Sequence, residues 1–125
     1  MTTKLYTALN ALHRGQALAT RIRPNSPENL AWVGVYPLDA TRETTRELLR
    51  NNGQVIPLPN SNAYRIRWFE ADTSLLEKEV SISESSLMNC GQSFAFGDDD
   101  LEKKLEEIWT SIDLLEPPYK LDYPI

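Results

Sequence analysis

The sequence predicts an α+β fold in which two or three helices pack on an antiparallel sheet of about four to six strands. Apolar residues recur with helical spacing over residues 3–14 and again over 99–115. Apolar and polar residues alternate over 63–71 and 75–83, a pattern typical of half-buried strands. Because the two periodicities occupy separate stretches of the chain, we expect segregated helices and strands.

The first third of the chain is predicted to form a helix and two strands. The helix over residues 3–14 has an apolar stripe and ends before a glycine. Its stripe consists of Leu5, Leu9 and Leu12. Residues 16–23 form a short strand that Pro24 closes. Residues 30–37 are rich in β-branched and aromatic side chains and carry no charge, so we expect both faces of this strand to be covered.

A second helix is predicted over residues 40–51, with Asp39 as its N-cap. Its apolar face is thin, so we expect it to lie on the surface. Residues 55–62 are interrupted by two prolines and form at most an edge strand.

The most distinct pattern is a predicted hairpin between residues 63–71 and 75–83. A turn near Thr73 would place Arg67 opposite Glu79 and Ile66 opposite Val80 in register. Beyond it, residues 87–96 are expected to form a further strand with a bulge at Gly91, and residues 99–115 the longest helix.

Length and composition bound the class of protein. With 125 residues and 41% hydrophobic content, the chain has the character of a single globular domain, 1–125, with an extended C-terminal tail at 116–125. One cysteine, Cys90, excludes an internal disulfide and favours a reducing compartment. The N-terminal residues resemble no signal peptide, and no apolar run is long enough for a membrane span. We therefore expect a cytoplasmic protein with no membrane contact.

Charge is divided unevenly along the chain. Residues 1–67 contain nine basic residues, eight of them arginine, and four acidic residues, a net charge of +5. Residues 68–125 contain four basic and fourteen acidic residues, a net charge of −10. Such asymmetry indicates a surface for a charged partner, an acidic ion-binding surface, or two halves that neutralise each other on folding.

The arginines are the candidate partner-binding residues. Arg21 and Arg23 form one pair two residues apart on a predicted strand, and a second pair follows in the predicted hairpin. Three more recur every four residues along the second helix. The candidate partner- or anion-binding set is Arg21, Arg23, Arg42, Arg46, Arg65, Arg67 and Trp68, with Phe69 as a second aromatic anchor. The alternative is internal pairing with Glu43, Glu47, Glu77 and Glu79.

The densest acidic cluster offers a candidate metal site. Its residues are Asp98, Asp99, Asp100 and Glu102. Carboxylates on one loop suit Ca²⁺, although the spacing is not that of an EF-hand. The alternative is that these acids cap the long helix, with Asp99 and Glu102 as a capping box.

No catalytic constellation is present in the sequence, so we expect no enzyme. His13 is the only histidine, and we expect it on the surface near the end of the first helix. Cys90 is expected to be a buried side chain in a strand. No glycine-rich phosphate loop occurs.

These observations favour a non-catalytic intracellular interaction or regulatory module, such as an adaptor, inhibitor or accessory subunit. A protein partner would bind the arginine-rich face, and no cofactor is expected. One alternative is a calcium-binding protein that uses the acidic cluster, and another is a nucleic-acid-binding accessory subunit. The acidic overall balance, a net charge of −5, disfavours nucleic acid as the partner.

Overall fold

The computed structural model describes residues 3–59, 61–72 and 87–118, which form a small α+β fold. The prediction of fold class is confirmed. In chain order the elements are α1 (Thr3–His13), β1 (Leu18–Ile22), β2 (Asn29–Leu38), α2 (Glu43–Asn51), β3 (Ala63–Asp72), β4 (Met88–Phe96), α3 (Asp98–Glu107) and a 3₁₀ helix (Ile112–Leu114).

The four strands form one antiparallel sheet in the order β1-β2-β3-β4. In the register of the sheet, Val33 of β2 lies opposite Thr20 of β1 on one side and opposite Trp68 of β3 on the other. The outer edge of β1 is closed by Glu116, which exchanges two main-chain hydrogen bonds of 2.8 Å with Ala19.

The two faces of the sheet differ in what covers them. Helices α1 and α3 and the 3₁₀ helix pack on one face, which we call the helix-covered face. Its buried core consists of Ala8, Ala11, Leu12, Leu18, Val33, Val35, Tyr64, Ile66, Ala95, Leu101, Leu105, Ile112 and Leu115. Each large aliphatic side chain buried here stabilises the fold by about 1.5–3 kcal/mol. The opposite face carries a smaller cluster, in which Trp32 stacks on Phe69 with ring centroids 5.8 Å apart.

The predicted hairpin pairing is wrong. Arg67 lies between Gly34 of β2 and Gln92 of β4, and Ile66 lies between Val35 and Ser93. Both edges of β3 are therefore occupied along this stretch, by β2 on one side and by β4 on the other. The segment 75–83 lies outside the described residues. Alternation shows which residues share a face, but it does not identify the neighbouring strand.

The last helix is shorter than predicted. α3 ends at Glu107 because Trp109 adopts a left-handed backbone conformation, with φ of 63°. The main-chain N–H of Thr110 donates to the carbonyl of Leu105, and that of Trp109 to the carbonyl of Glu106. These two bonds form a Schellman motif, which reverses the chain. The apolar stripe nevertheless reaches the core, since Ile112 and Leu115 are buried after the turn.

Two further local predictions need correction. α2 begins at Glu43, and Asp39 does not cap it: its carboxylate accepts hydrogen bonds from the main-chain N–H and the hydroxyl of Thr41. On β4 the register shift lies around Asn89, whose φ is 51°, and not at Gly91. Gly91 instead leaves room for the indole of Trp68, which a Cβ at that position would overlap.

Candidate partner-binding surface

The arginines of α2 bind acids of their own segment. Arg46 lies 3.0 Å from the carboxylate of Glu43, which also accepts a hydrogen bond from Arg50. Arg42 lies 3.7 Å from Asp39. Exposed pairs of this kind contribute at most about 1 kcal/mol to stability, yet they reduce the charge that these arginines offer to a partner. The predicted binding residues Arg42 and Arg46 are thus paired with acids of the same chain, as in the internal-pairing alternative.

The strand arginines share one face of the sheet. In the strand register, Arg21 lies opposite Trp32, Arg67 opposite Gly34, and Arg65 opposite Tyr36. All three therefore project from the face that bears Trp32 and Phe69, which we call the arginine-bearing face. Arg23 lies one residue beyond the end of β1.

A short polar chain connects this face to α2. Nε of Arg65 donates to Oε1 of Gln92 over 2.9 Å, and Nε2 of Gln92 donates to Oδ1 of Asn52 over 2.8 Å. A shallow cavity of about 230 Å³ on this part of the sheet is lined by Arg65, Arg67, Trp68, Phe69, Cys90, Gly91 and Gln92. Cys90 is exposed, so its predicted burial is wrong.

The two predicted aromatic anchors line the same cavity as Arg65 and Arg67, but neither is an exposed side chain. Trp68 extends from the helix-covered face, packs against the core and covers Gly91. Phe69 shares the arginine-bearing face but is only 2% exposed. Trp68 therefore borders the cavity, but its side chain extends from the face opposite the arginines, because adjacent residues of a strand point to opposite faces.

Trp109, which follows α3, is the most exposed aromatic residue in the part of the chain that the structure describes. Its side chain is 92% exposed. Trp109 lines a cavity of about 750 Å³ with residues of the β1–β2 loop. We call this surface the Trp109 patch; its residues are Arg23, Pro24, Asn25, Pro27 and Trp109. The sequence pattern is consistent with this exposure, because Trp109 lies beside the apolar stripe of Leu105, Ile108 and Ile112 and not within it.

A buried carboxylate holds the loop of this patch. Glu70, at the end of β3, is 4% exposed and accepts a 2.6 Å hydrogen bond from the main-chain N–H of Asn25. Its second oxygen accepts from Nδ2 of Asn29 over 3.0 Å. Burial alone would raise the pKa of Glu70, but the hydrogen bonds from Asn29, Asn25 and Asn89 lower it below its ordinary value. The carboxylate is thus charged at neutral pH and fixes the loop.

The acids of the predicted calcium site bind separate protein groups. Asp98 accepts hydrogen bonds from the hydroxyl of Tyr64 over 2.7 Å and contacts Nε2 of His13 at 2.9 Å. Asp100 accepts from the main-chain N–H of Phe96, and Glu102 from that of Ile112. Asp99 is exposed. Among the described residues, no group of three or more His, Cys, Asp or Glu side chains is placed to hold a metal ion.

Through these contacts, Asp98 connects α3 to β3 and α1. Burial, the hydrogen bond to Asp98 and the charge of that carboxylate all raise the pKa of Tyr64. The phenol therefore stays protonated and donates a hydrogen bond to Asp98. The predicted capping box is absent from α3: its N-cap is Gly97, with φ of 97° and no side-chain cap.

No helix within the described ranges is long and apolar enough to cross a membrane. Comparison of the chain with protein-family models, with curated proteins and with solved structures finds no match.

Proposed function

We propose that this protein is a non-catalytic interaction module that binds an acidic protein partner through the Trp109 patch. The observation that carries the proposal is the 92% exposure of the Trp109 indole. Tryptophan and arginine are the residues most enriched in the energetic centres of protein interfaces, and Arg23 borders the same cavity. An exposed lone cysteine suits a reducing compartment, so we place the module in the cytoplasm.

The backbone of Trp109 supports this role. The residue after a helix in a Schellman motif is most often glycine, because a left-handed conformation costs a residue with a Cβ roughly 1–2 kcal/mol. Glycine would make the same two main-chain hydrogen bonds without that cost. The indole is almost fully exposed, so burial within the fold does not offset the strain. Strain that brings no gain to the fold is typical of functional positions.

The loop beside Trp109 is preorganised. Pro24 and Pro27 restrict the loop backbone, and Glu70 anchors the loop at Asn25. A loop that is ordered before binding loses less entropy in the complex. Arg23 is exposed and makes no hydrogen bond or ion pair with the residues that the structure describes, so its guanidinium can bind a partner carboxylate. The partner would supply an apolar recess for the indole and an acid for Arg23.

The proposal is tested by affinity capture from a lysate of the source cells, followed by calorimetry with the captured protein. Loss of an interface anchor typically weakens binding by 2 kcal/mol or more, so we expect Trp109→Gly to reduce the affinity about thirtyfold. Arg23→Glu should weaken it further by placing an acid against an acid. The matched control is Tyr6→Ala, which removes an exposed aromatic side chain from α1.

A partner whose affinity is the same for the wild-type chain, Trp109→Gly and Arg23→Glu would exclude this surface. The calcium and nucleic-acid alternatives remain predictions, and the contacts of the described residues favour neither of them.

A further inference from the structure

We infer that the outer edge of β4 binds an extended acidic segment of a protein partner as a fifth strand of the sheet. β4 is the last strand in the sheet order and pairs only with β3 among the described strands. The opposite edge of the sheet, at β1, is closed by Glu116. This inference rests on the β4 edge alone and does not depend on the Trp109 patch.

The hydrogen bonds at the end of β4 show which main-chain groups face outward. The N–H of Gly97 donates to the carbonyl of Asn62, beside β3, over 2.7 Å. The N–H of Phe96 points the other way and donates to the carboxylate of Asp100 over 2.9 Å. Main-chain groups alternate in direction along an antiparallel strand, and the register from Gly91 to Phe96 is regular. The N–H and C=O groups of Gln92 and Phe94 therefore point away from β3.

The edge lacks most of the features that protect edge strands. Proteins commonly block such edges with lysine, proline or bulges. β4, Met88–Phe96, contains no charged residue and no proline, and its irregularity lies near its start, around Asn89. The stretch that follows is a regular pairing surface.

The side chains that line the β4 edge indicate what kind of peptide strand it would bind. A groove of about 350 Å³ runs along it, lined by Asn52, Gln54, Gln92, Ser93, Phe94 and Lys104. Lys104 of α3 makes no hydrogen bond or ion pair with the described residues. On the other side, Arg65 is held against the strand by Gln92. Cations thus flank the edge on both faces, and they complement a segment whose alternate side chains are carboxylates.

Strand addition of this kind has two separable contributions. Main-chain hydrogen bonds to the exposed edge supply affinity, and alternate side chains supply specificity. Here Gln92 and Phe94 would provide the main-chain groups, and Lys104 would select for acid. A second copy of the chain would bring another Lys104 to the same groove, and it is therefore disfavoured as the occupant.

The test uses a fluorescent peptide of about six residues that alternates valine and glutamate, with binding followed by fluorescence anisotropy. We expect the wild-type chain to bind it. A peptide with every second main-chain amide methylated, and one with lysine in place of glutamate, should each bind at least tenfold more weakly.

The matched protein variants are Gln92→Pro and Gln92→Ala. Both lose the side-chain contacts to Arg65 and Asn52, but only proline removes the outward N–H, and it leaves the ladder with β3 intact. Gln92→Pro should therefore bind the peptide at least tenfold more weakly than Gln92→Ala. Lys104→Glu should bind more weakly than Lys104→Gln. Circular dichroism checks the fold of each variant. If Gln92→Pro does not fold, the methylated peptide still tests the main-chain hydrogen bonds on the wild-type chain.

Three results would overturn the inference: no binding of the valine–glutamate peptide, equal binding of the methylated peptide, or dimers in light scattering that Gln92→Pro abolishes, which would make a second copy the occupant. Trp109→Gly should leave peptide binding unchanged, so failure of this inference is distinguishable from failure of the proposed function.

Discussion

Trp109 occupies the position after a helix at which glycine is most often found. Its main-chain N–H and that of Thr110 complete the Schellman motif, while its side chain is almost fully exposed. Its backbone therefore serves the fold, and its indole is available for binding. The two roles conflict energetically because the left-handed conformation disfavours any Cβ.

This conflict predicts that the Trp109→Gly variant is more stable than the Trp109→Ala variant. We expect the free energy of unfolding to rise by about 1 kcal/mol relative to Trp109→Ala, since both variants lose the indole and only alanine retains a Cβ. Urea denaturation measures the difference. Equal stability of the two variants, or a more stable alanine variant, would show that the backbone at this position is not strained.

At the scale of elements, Glu70 connects the end of β3 to the loop between β1 and β2. Its two oxygens accept hydrogen bonds from Asn25 and Asn29, and it is nearly inaccessible to solvent. Removing a charged acceptor from such a site leaves buried donors unsatisfied. The loop that carries Arg23 therefore depends on this carboxylate for its conformation.

The lowered pKa of Glu70 makes this contribution dependent on pH. A carboxyl group whose pKa is lower in the folded than in the unfolded chain stabilises the fold above the unfolded value, about 4.3, and loses that effect as the pH falls through the folded value. We expect Glu70→Gln to be less stable than wild type by about 1–3 kcal/mol at pH 7. The difference should shrink as the pH falls below about 4.

Denaturation curves across this range measure the effect, with Glu107→Gln as a control at an exposed glutamate of α3. A stability difference between wild type and Glu70→Gln that does not change with pH would contradict the assigned role of the Glu70 charge.

On the scale of the whole molecule, Asp98 joins three elements that are distant in sequence. It begins α3, accepts a hydrogen bond from Tyr64 of β3, and contacts His13 at the end of α1. Tyr64 is only 1% exposed, so its hydroxyl depends on this carboxylate for a hydrogen bond. The contact between Asp98 and Nε2 of His13 joins the basic half of the sequence to the acidic half.

We therefore expect Asp98→Ala to destabilise the protein more than Tyr64→Phe does. Tyr64→Phe removes both the donor and the need for an acceptor, at about 0.5–1.5 kcal/mol, whereas Asp98→Ala leaves a buried hydroxyl unsatisfied, at about 1–3 kcal/mol. Asp99→Ala controls for the loss of an acid in the first turn of α3. Thermal unfolding followed by circular dichroism measures all three variants, and the double variant gives the coupling between Asp98 and Tyr64. Additive effects would show that the two groups act independently.

The folded protein keeps only part of the charge pattern of the sequence. β3 contains Arg65 and Arg67 at one end and Glu70 at the other, and it lies in the middle of the sheet. The helix arginines bind acids from their own segment, such as Asp39 and Glu43. The positive charge of the first half is therefore reduced at α2, whereas Arg21, Arg65 and Arg67 stay together on the arginine-bearing face.

Local periodicity was sufficient to predict α1, β1 and β2 to within about two residues, and the shared face of Arg65 and Arg67, because hydrogen-bonding geometry repeats over a few residues wherever a segment lies. It also predicted that Leu101 and Leu105 reach the core. Only the tertiary structure decided that β2 and β4 flank β3, that Trp109 is exposed at a chain reversal, and that β4 is the outer strand of the sheet among the described strands. These features depend on contacts between residues distant in sequence, and such contacts are selected by the packing of the whole chain and not by the pattern of any one segment.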